Sequence, residues 1–188
     1  MRPLRFLVLP VVGLAAACGY DPLGAPKNDN VVDSLVSLYA LSGTPPRTPS
    51  AYYLGNYFVV PHTVSIQDPG ANFDFAVDLD SAYRPVLRTT GSLRMGRGSG
   101  VQVTTLPFDS ILIAPSGGYQ LDSAVTIPVG GRAIVHSRQS QCDTGIFVVY
   151  YAKLEILAVD SASRRIDFKI LVNDNCGYRS LEPGRPRH

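Results

Sequence analysis

The chain is predicted to be all-β, an antiparallel β-sandwich or barrel-like domain with a long C-terminal hairpin, on three observations. Two runs near the C-terminus, Ala152 to Val159 and Ile166 to Val172, alternate with the period-two pattern of strands. The composition leans the same way, with 17 glycines, 15 prolines, ten tyrosines and no tryptophan favouring strands and turns over helices. Shorter apolar runs recur along the chain between turn-forming residues, the spacing of a sandwich or barrel.

Taken in order, residues 18–30 read as a flexible tether, because Pro22, Gly24 and Pro26 stand among polar residues. Val31 to Leu41 fits a helix through Val31, Leu35 and Leu38, or a strand through Leu35, Ser37, Tyr39 and Leu41. The β-rich surroundings and the stop at Gly43-Thr44-Pro45-Pro46 select the strand. Tyr53 to Val60 and Val64 to Gln67 follow as strands before the turn Asp68-Pro69-Gly70. Phe73, Phe75, Val77 and Leu79 then alternate with Asp74, Ala76, Asp78 and Asp80, which predicts a half-buried strand with a solvated acidic face. Val86 to Thr90, Gly100 to Leu106, Ser110 to Ala114, Ala124 to Val129 and Ala133 to Ser137 read as further strands. Turns at Ser116-Gly117-Gly118 and Gly130-Gly131 punctuate them.

The last two runs specify their own register. Pairing Ala158 with Ile166 sets Ile156 against Phe168 and Leu154 against Ile170, so both apolar sets share one face, while Glu155 meets Lys169 on the other. A slip of one residue would oppose apolar to polar positions. Asp160 to Arg164 has the composition and length of the connecting turn. The folded domain is thus expected over residues 31–181. Residues 182–188, charged and broken by Pro183 and Pro186, read as a disordered tail.

The N-terminus carries an address. Arg2 and Arg5 precede the apolar stretch Phe6 to Ala17, and Ala15-Ala16-Ala17-Cys18 supplies a small-residue cleavage site, so residues 1–17 read as a signal peptide. The stretch is short of the roughly 20 residues that cross a bilayer and contains Pro10. Leu14-Ala15-Ala16-Ala17-Cys18-Gly19 resembles the lipobox of bacterial lipoproteins, although Ala15 stands where that family favours leucine. The resemblance implies acylation of Cys18 and, with Gly19 rather than aspartate next, sorting to the outer membrane of the cell envelope, facing the periplasm or the cell surface. Ala15 and Ala17 also satisfy the A-x-A rule of ordinary export, which would leave the protein secreted with Cys18 unmodified.

Two of the 17 basic residues lie in the signal, leaving 15 against 15 acidic ones, so nothing in the charge points to a nucleic-acid partner. With Cys18 assigned to lipid, Cys142 and Cys176 remain, and outside the reducing cytoplasm they are expected to form a disulfide. In the register above, this requires residues 139–145 to fold back, a bend that Gly145 permits. The staple would contribute about 3 kcal/mol on a loop-entropy basis.

Chemistry is sparse. Asp74, Asp78 and Asp80 lack calcium-loop spacing, and no metal or cofactor is expected. Arg84, Arg88, Arg94 and Arg97 form the one local excess of positive charge, a candidate contact for a phosphate or carboxylate ligand. His136 and Ser137 with Asp143 nearby hold the residue types of a hydrolase triad, without a nucleophile elbow. Two classes remain. One is a noncatalytic, membrane-tethered β domain that is structural or binds an envelope protein or polysaccharide, with Tyr52, Tyr53, Tyr57, Tyr150 and Tyr151 as contact surface. The other is a small envelope-associated or secreted hydrolase built around His136 or His62.

Overall fold

The structure is a computed structural model that describes residues 25–186, apart from Tyr57 and Arg97. The strands are β1 (Val31–Tyr39), β2 (Ala51–Tyr53), β3 (His62–Val64), β4 (Phe75–Leu79), β5 (Pro85–Thr89) and β6 (Gly100–Thr104). After a short 3₁₀ helix, Phe108–Ser110, come β7 (Val125–Thr126), β8 (Arg132–His136), β9 (Ser140–Gln141), β10 (Phe147–Val148), β11 (Tyr151–Asp160) and β12 (Arg165–Asn173). One five-stranded sheet has the order β1-β12-β11-β8-β6, a second the order β3-β2-β4-β5-β7, and β9 with β10 forms a separate hairpin. Each of these neighbouring pairs is antiparallel. The sheets are open, so the architecture is a sandwich and not a closed barrel.

The core lies between the sheets, where alternation drives one face of each strand out of water. Leu154, Ile156, Phe168 and Ile170 point into it, all essentially buried, as the alternation requires. The rings of Tyr52, Phe75 and Phe168 meet there, with centroids 5.7 to 6.1 Å apart. The register pairs Leu154 with Ile170, Glu155 with Lys169 and Ile156 with Phe168. Beyond Ile156 a bulge intervenes, so Ala158 opposes Asp167 and Val159 opposes Ile166, one place off the simple extrapolation.

Several elements differ from expectation. β1 is a strand, but Val36, Leu38 and Ala40 line its buried side while Leu35 is exposed, because the β1–β12 register shifts between Asp33 and Val36. β2 stops at Tyr53, and the chain doubles back through residues 54–61. Residues 110–114 form no regular strand; they leave the 3₁₀ helix and reach one isolated bridge, Ile113 to Ser180. Asp74 and Asp78 are buried and not solvated.

The outer face of the first sheet is itself partly covered. Phe108, Ile111 and Leu181 pack on Ile134 and Leu171 in a second cluster. Lys27 N–H donates to Asn175 Oδ1 at 2.9 Å, and Asn30 bridges to Gly184, so the ends of the domain clasp each other outside residues 31–181.

Candidate functional site

The sheet register builds a cleft around His136. Side chains of directly paired residues share a face, so His136, the last residue of β8, stands beside Tyr151 of β11 and Gly100 of β6 on the outer face. A side chain at position 100 would not fit, since a Cβ there would lie 2.4 Å from His136 Nε2. Gly100 therefore gives the imidazole its seat. Tyr119, from the loop before β7, sets its ring edge-on to the imidazole with centroids 4.6 Å apart.

His136 Nδ1 lies 2.9 Å from the backbone carbonyl of Ser137, which can only accept, so Nδ1 carries the proton and Nε2 is left as an acceptor. Burial holds the imidazole pKa below its usual 6.5, and the ring is neutral at physiological pH. The ring and Val149 line two openings. The larger, about 520 Å³, is bounded by Met95, Gly96, Gly98, Arg138 and Gln139; the smaller, about 260 Å³, by the Ser116-Gly117-Gly118 loop, Tyr119, Leu121 and Tyr151. Arg138 is held in place by its side-chain bond to Asn72 and by Asp74, whose Oδ1 accepts the Arg138 backbone N–H at 2.9 Å. Asp74 also accepts the Leu54 N–H at 2.9 Å, and burial raises its pKa against these donors.

The triad is not assembled. Ser137 Oγ donates to the Arg138 carbonyl at 2.6 Å and accepts the Tyr150 N–H at 2.8 Å, so it is turned into the backbone. Asp143 instead pairs with Lys27 in the turn between β9 and β10. His62 lies on the other sheet, exposed, with Nδ1 2.9 Å from the Val60 carbonyl and its ring against Tyr53. The cleft offers an imidazole, aromatic edges and a guanidinium, groups that can hydrogen-bond a hydroxyl- or amide-bearing ligand.

The described arginines of the predicted group, Arg84, Arg88 and Arg94, are spread along β5 and its two ends. Arg84 pairs with Asp80 at 2.8 Å in the β4–β5 turn, and Arg88 lies 3.5 Å from Asp78. Arg94 is exposed in the turn beyond the opposite end of β5. Arg97 and Cys18 lie outside the described residues. Asp78 also accepts from Ser42 Oγ at 2.9 Å, so Asp74 and Asp78 of the predicted acidic face are bonded internally, while Asp80 stays at the surface with Arg84. Among the described residues no group of three or more His, Cys, Asp or Glu side chains is placed to hold a metal ion.

The tyrosine surface is corrected too. Tyr52, Tyr53 and Tyr150 are buried, and burial pushes the Tyr53 hydroxyl up to about 12. Tyr57 is outside the described residues, and Tyr151 borders the cleft. Cys142 and Cys176 sit at disulfide distance with Cα atoms 5.8 Å apart, both sulfurs beside the buried Tyr150 hydroxyl. Gly145 turns the chain at φ 82°, the fold-back that this bond requires.

The sequence singles out His136 but not its cleft partners Gly100, Tyr119, Arg138 and Gln139, which come from β6 and from two segments distant in sequence. Comparison with protein-family models, with curated proteins and with solved structures found no match to this chain.

Proposed function

We propose that the chain is a lipid-anchored protein of the bacterial cell envelope, and that its β domain binds an envelope protein or polysaccharide at the His136 cleft without catalysing a reaction. The anchoring half rests on Cys18, where a basic start, an apolar stretch and a small-residue site converge. Acyl chains at that position would hold the domain at a membrane, each buried methylene contributing about 0.8 kcal/mol. Gly19 favours the outer membrane, with the domain facing the periplasm or the cell surface.

The binding half is carried by one observation. The His136 ring lines an open cleft, yet the neighbouring Ser137 hydroxyl is committed to backbone partners. A hydrolase would need a nucleophile within hydrogen-bond reach of that ring.

A photocrosslinking residue in place of Gln139, activated in intact cells, tests this reading. The expected result is a discrete adduct that disappears when Tyr151→Ala is added and is absent when the crosslinker replaces Leu157, which lies off the cleft. Equal capture from both positions would contradict it. So would a hydrolytic activity abolished by His136→Ala.

A further inference from the structure

The sandwich has two ends, and its exposed apolar loop tips are concentrated at one of them. Pairing of Val31 with Val172, of Tyr151 with Asn173 and His136, and of His136 with Gly100 lines up one end of the first sheet. Pairing of Tyr53 with His62, of Tyr52 with Phe75 and of Phe75 with Thr89 lines up one end of the second. Asp74 bonded to Arg138 N–H, and Thr90 N–H donating to Ser99 Oγ at 3.0 Å, join these as a single pole. Three excursions leave from it, residues 54–61, 90–99 and 137–150.

Their tips carry Phe58 and Val60, Met95, and Phe147. Phe58, Val60 and Phe147 are 72%, 71% and 67% exposed, the three highest values among the large apolar side chains described. The opposite pole turns outward Tyr83, Leu106, Val129 and Ile66 of that class, none of them more than 55% exposed, beside the Asp80–Arg84 ion pair. Patches of this kind on a water-facing surface mark contact sites.

The first tip is built to stand out. A Cβ at Gly55, whose φ is +82°, would lie 2.6 Å from the Val59 carbonyl, so only glycine lets the chain double back so tightly. Asn56 Oδ1 then accepts the Phe58 and Val59 N–H groups at 2.8 and 2.9 Å, closing a turn that holds Phe58 outward.

The chain also enters at this pole. Lys27 pairs with Asp143 beside the third excursion, and Asn28 donates to Asp174 just past β12. Eight residues lie between Cys18 and Lys27, a reach of at most about 32 Å. An acyl anchor at Cys18 would therefore hold this pole within that distance of the lipid.

We infer that this pole is a bilayer-contacting surface, with Phe58, Val60, Met95 and Phe147 inserting at the boundary between headgroups and acyl chains. Its orientation rests on the anchoring reading above. Exposed Arg94, next to Met95, adds attraction to anionic headgroups. With the domain so seated, the His136 cleft opens close to the membrane plane, because Met95 borders it.

Absence of native tryptophan makes the test direct. Phe58→Trp, Phe147→Trp and Tyr83→Trp are made singly in the mature chain with a hexahistidine tag in place of Cys18. Each is tethered to phosphatidylethanolamine/phosphatidylglycerol vesicles containing a nickel-chelating lipid. Expected are a blue-shifted emission and several-fold stronger quenching by brominated acyl chains at positions 58 and 147 than at 83. Unshifted, unquenched emission at both tips, or equal quenching at position 83, overturns the inference. So does a blue shift at the tips produced only by a soluble protein fraction, which would make the pole a protein-docking surface. The tether is artificial, so the result does not depend on acylation of Cys18, and either reading can fail without the other.

Discussion

Lys153 shows how one side chain can change the role of a sheet face. On alternation alone it belongs to the polar outer side of β11, and it does point outward, yet it is 1% exposed. Its ammonium donates to the Phe108 and Ile111 carbonyls at 2.9 and 3.0 Å and lies 4.6 Å from the Phe108 ring centroid. Burial lowers its pKa, and the two carbonyls repay part of that desolvation. Lys153→Met should cost about 1–2 kcal/mol in a denaturant titration, since methionine fills the space but leaves the carbonyls without this donor. His136 gives a second test. Its folded pKa lies below the unfolded value, so its contribution is fully present above pH 6.5 and is lost as the pH falls through the folded pKa. Wild type should therefore lose stability relative to His136→Gln on going from pH 6.5 to about pH 5. An NMR titration of the ring should show a midpoint under 6.5.

Among elements, the β11–β12 hairpin was the most legible, because two long alternating runs leave one register that buries both apolar sets. Phe168→Ala should cost on the order of 3–5 kcal/mol, as it removes a ring packed between Tyr52 and Phe75. A neutral result would mean that the inward face has been misassigned. Replacing both Cys142 and Cys176 by serine should lower the melting temperature, by about 3 kcal/mol of stability, with the strand signal in circular dichroism retained. The bulges were not legible. They depend on the twist and packing of neighbouring strands, so the inward side of β1 and the pairing of Ala158 came out one place away from the alternation. β4 misled for a different reason. Its aspartates look solvated by composition, whereas backbone N–H groups of Leu54 and Arg138 and the Ser42 hydroxyl, all distant in sequence, receive them inside.

At the scale of the whole molecule, a sandwich was readable from strand spacing, but the cleft was not. His136 stood out as a residue; its walls come from the loop carrying Met95 and Gly98, the loop carrying Ser116 and Tyr119 and the segment carrying Arg138, Gln139 and Val149, which only the crossing of strands brings together. The same topology gathers the apolar tips and the incoming chain at one pole. On the reading proposed above, anchor, lipid-facing tips and cleft would form one arrangement, in which Cys18 would determine how the domain presents its binding site. That arrangement begins with a covalent bond, and intact mass spectrometry of the mature protein purified from its native membrane reads it directly. The account predicts an N-terminal Cys18 carrying the added mass of thioether-linked acyl chains. An unmodified Cys18 at the N-terminus, or a chain that retains Met1, would contradict it.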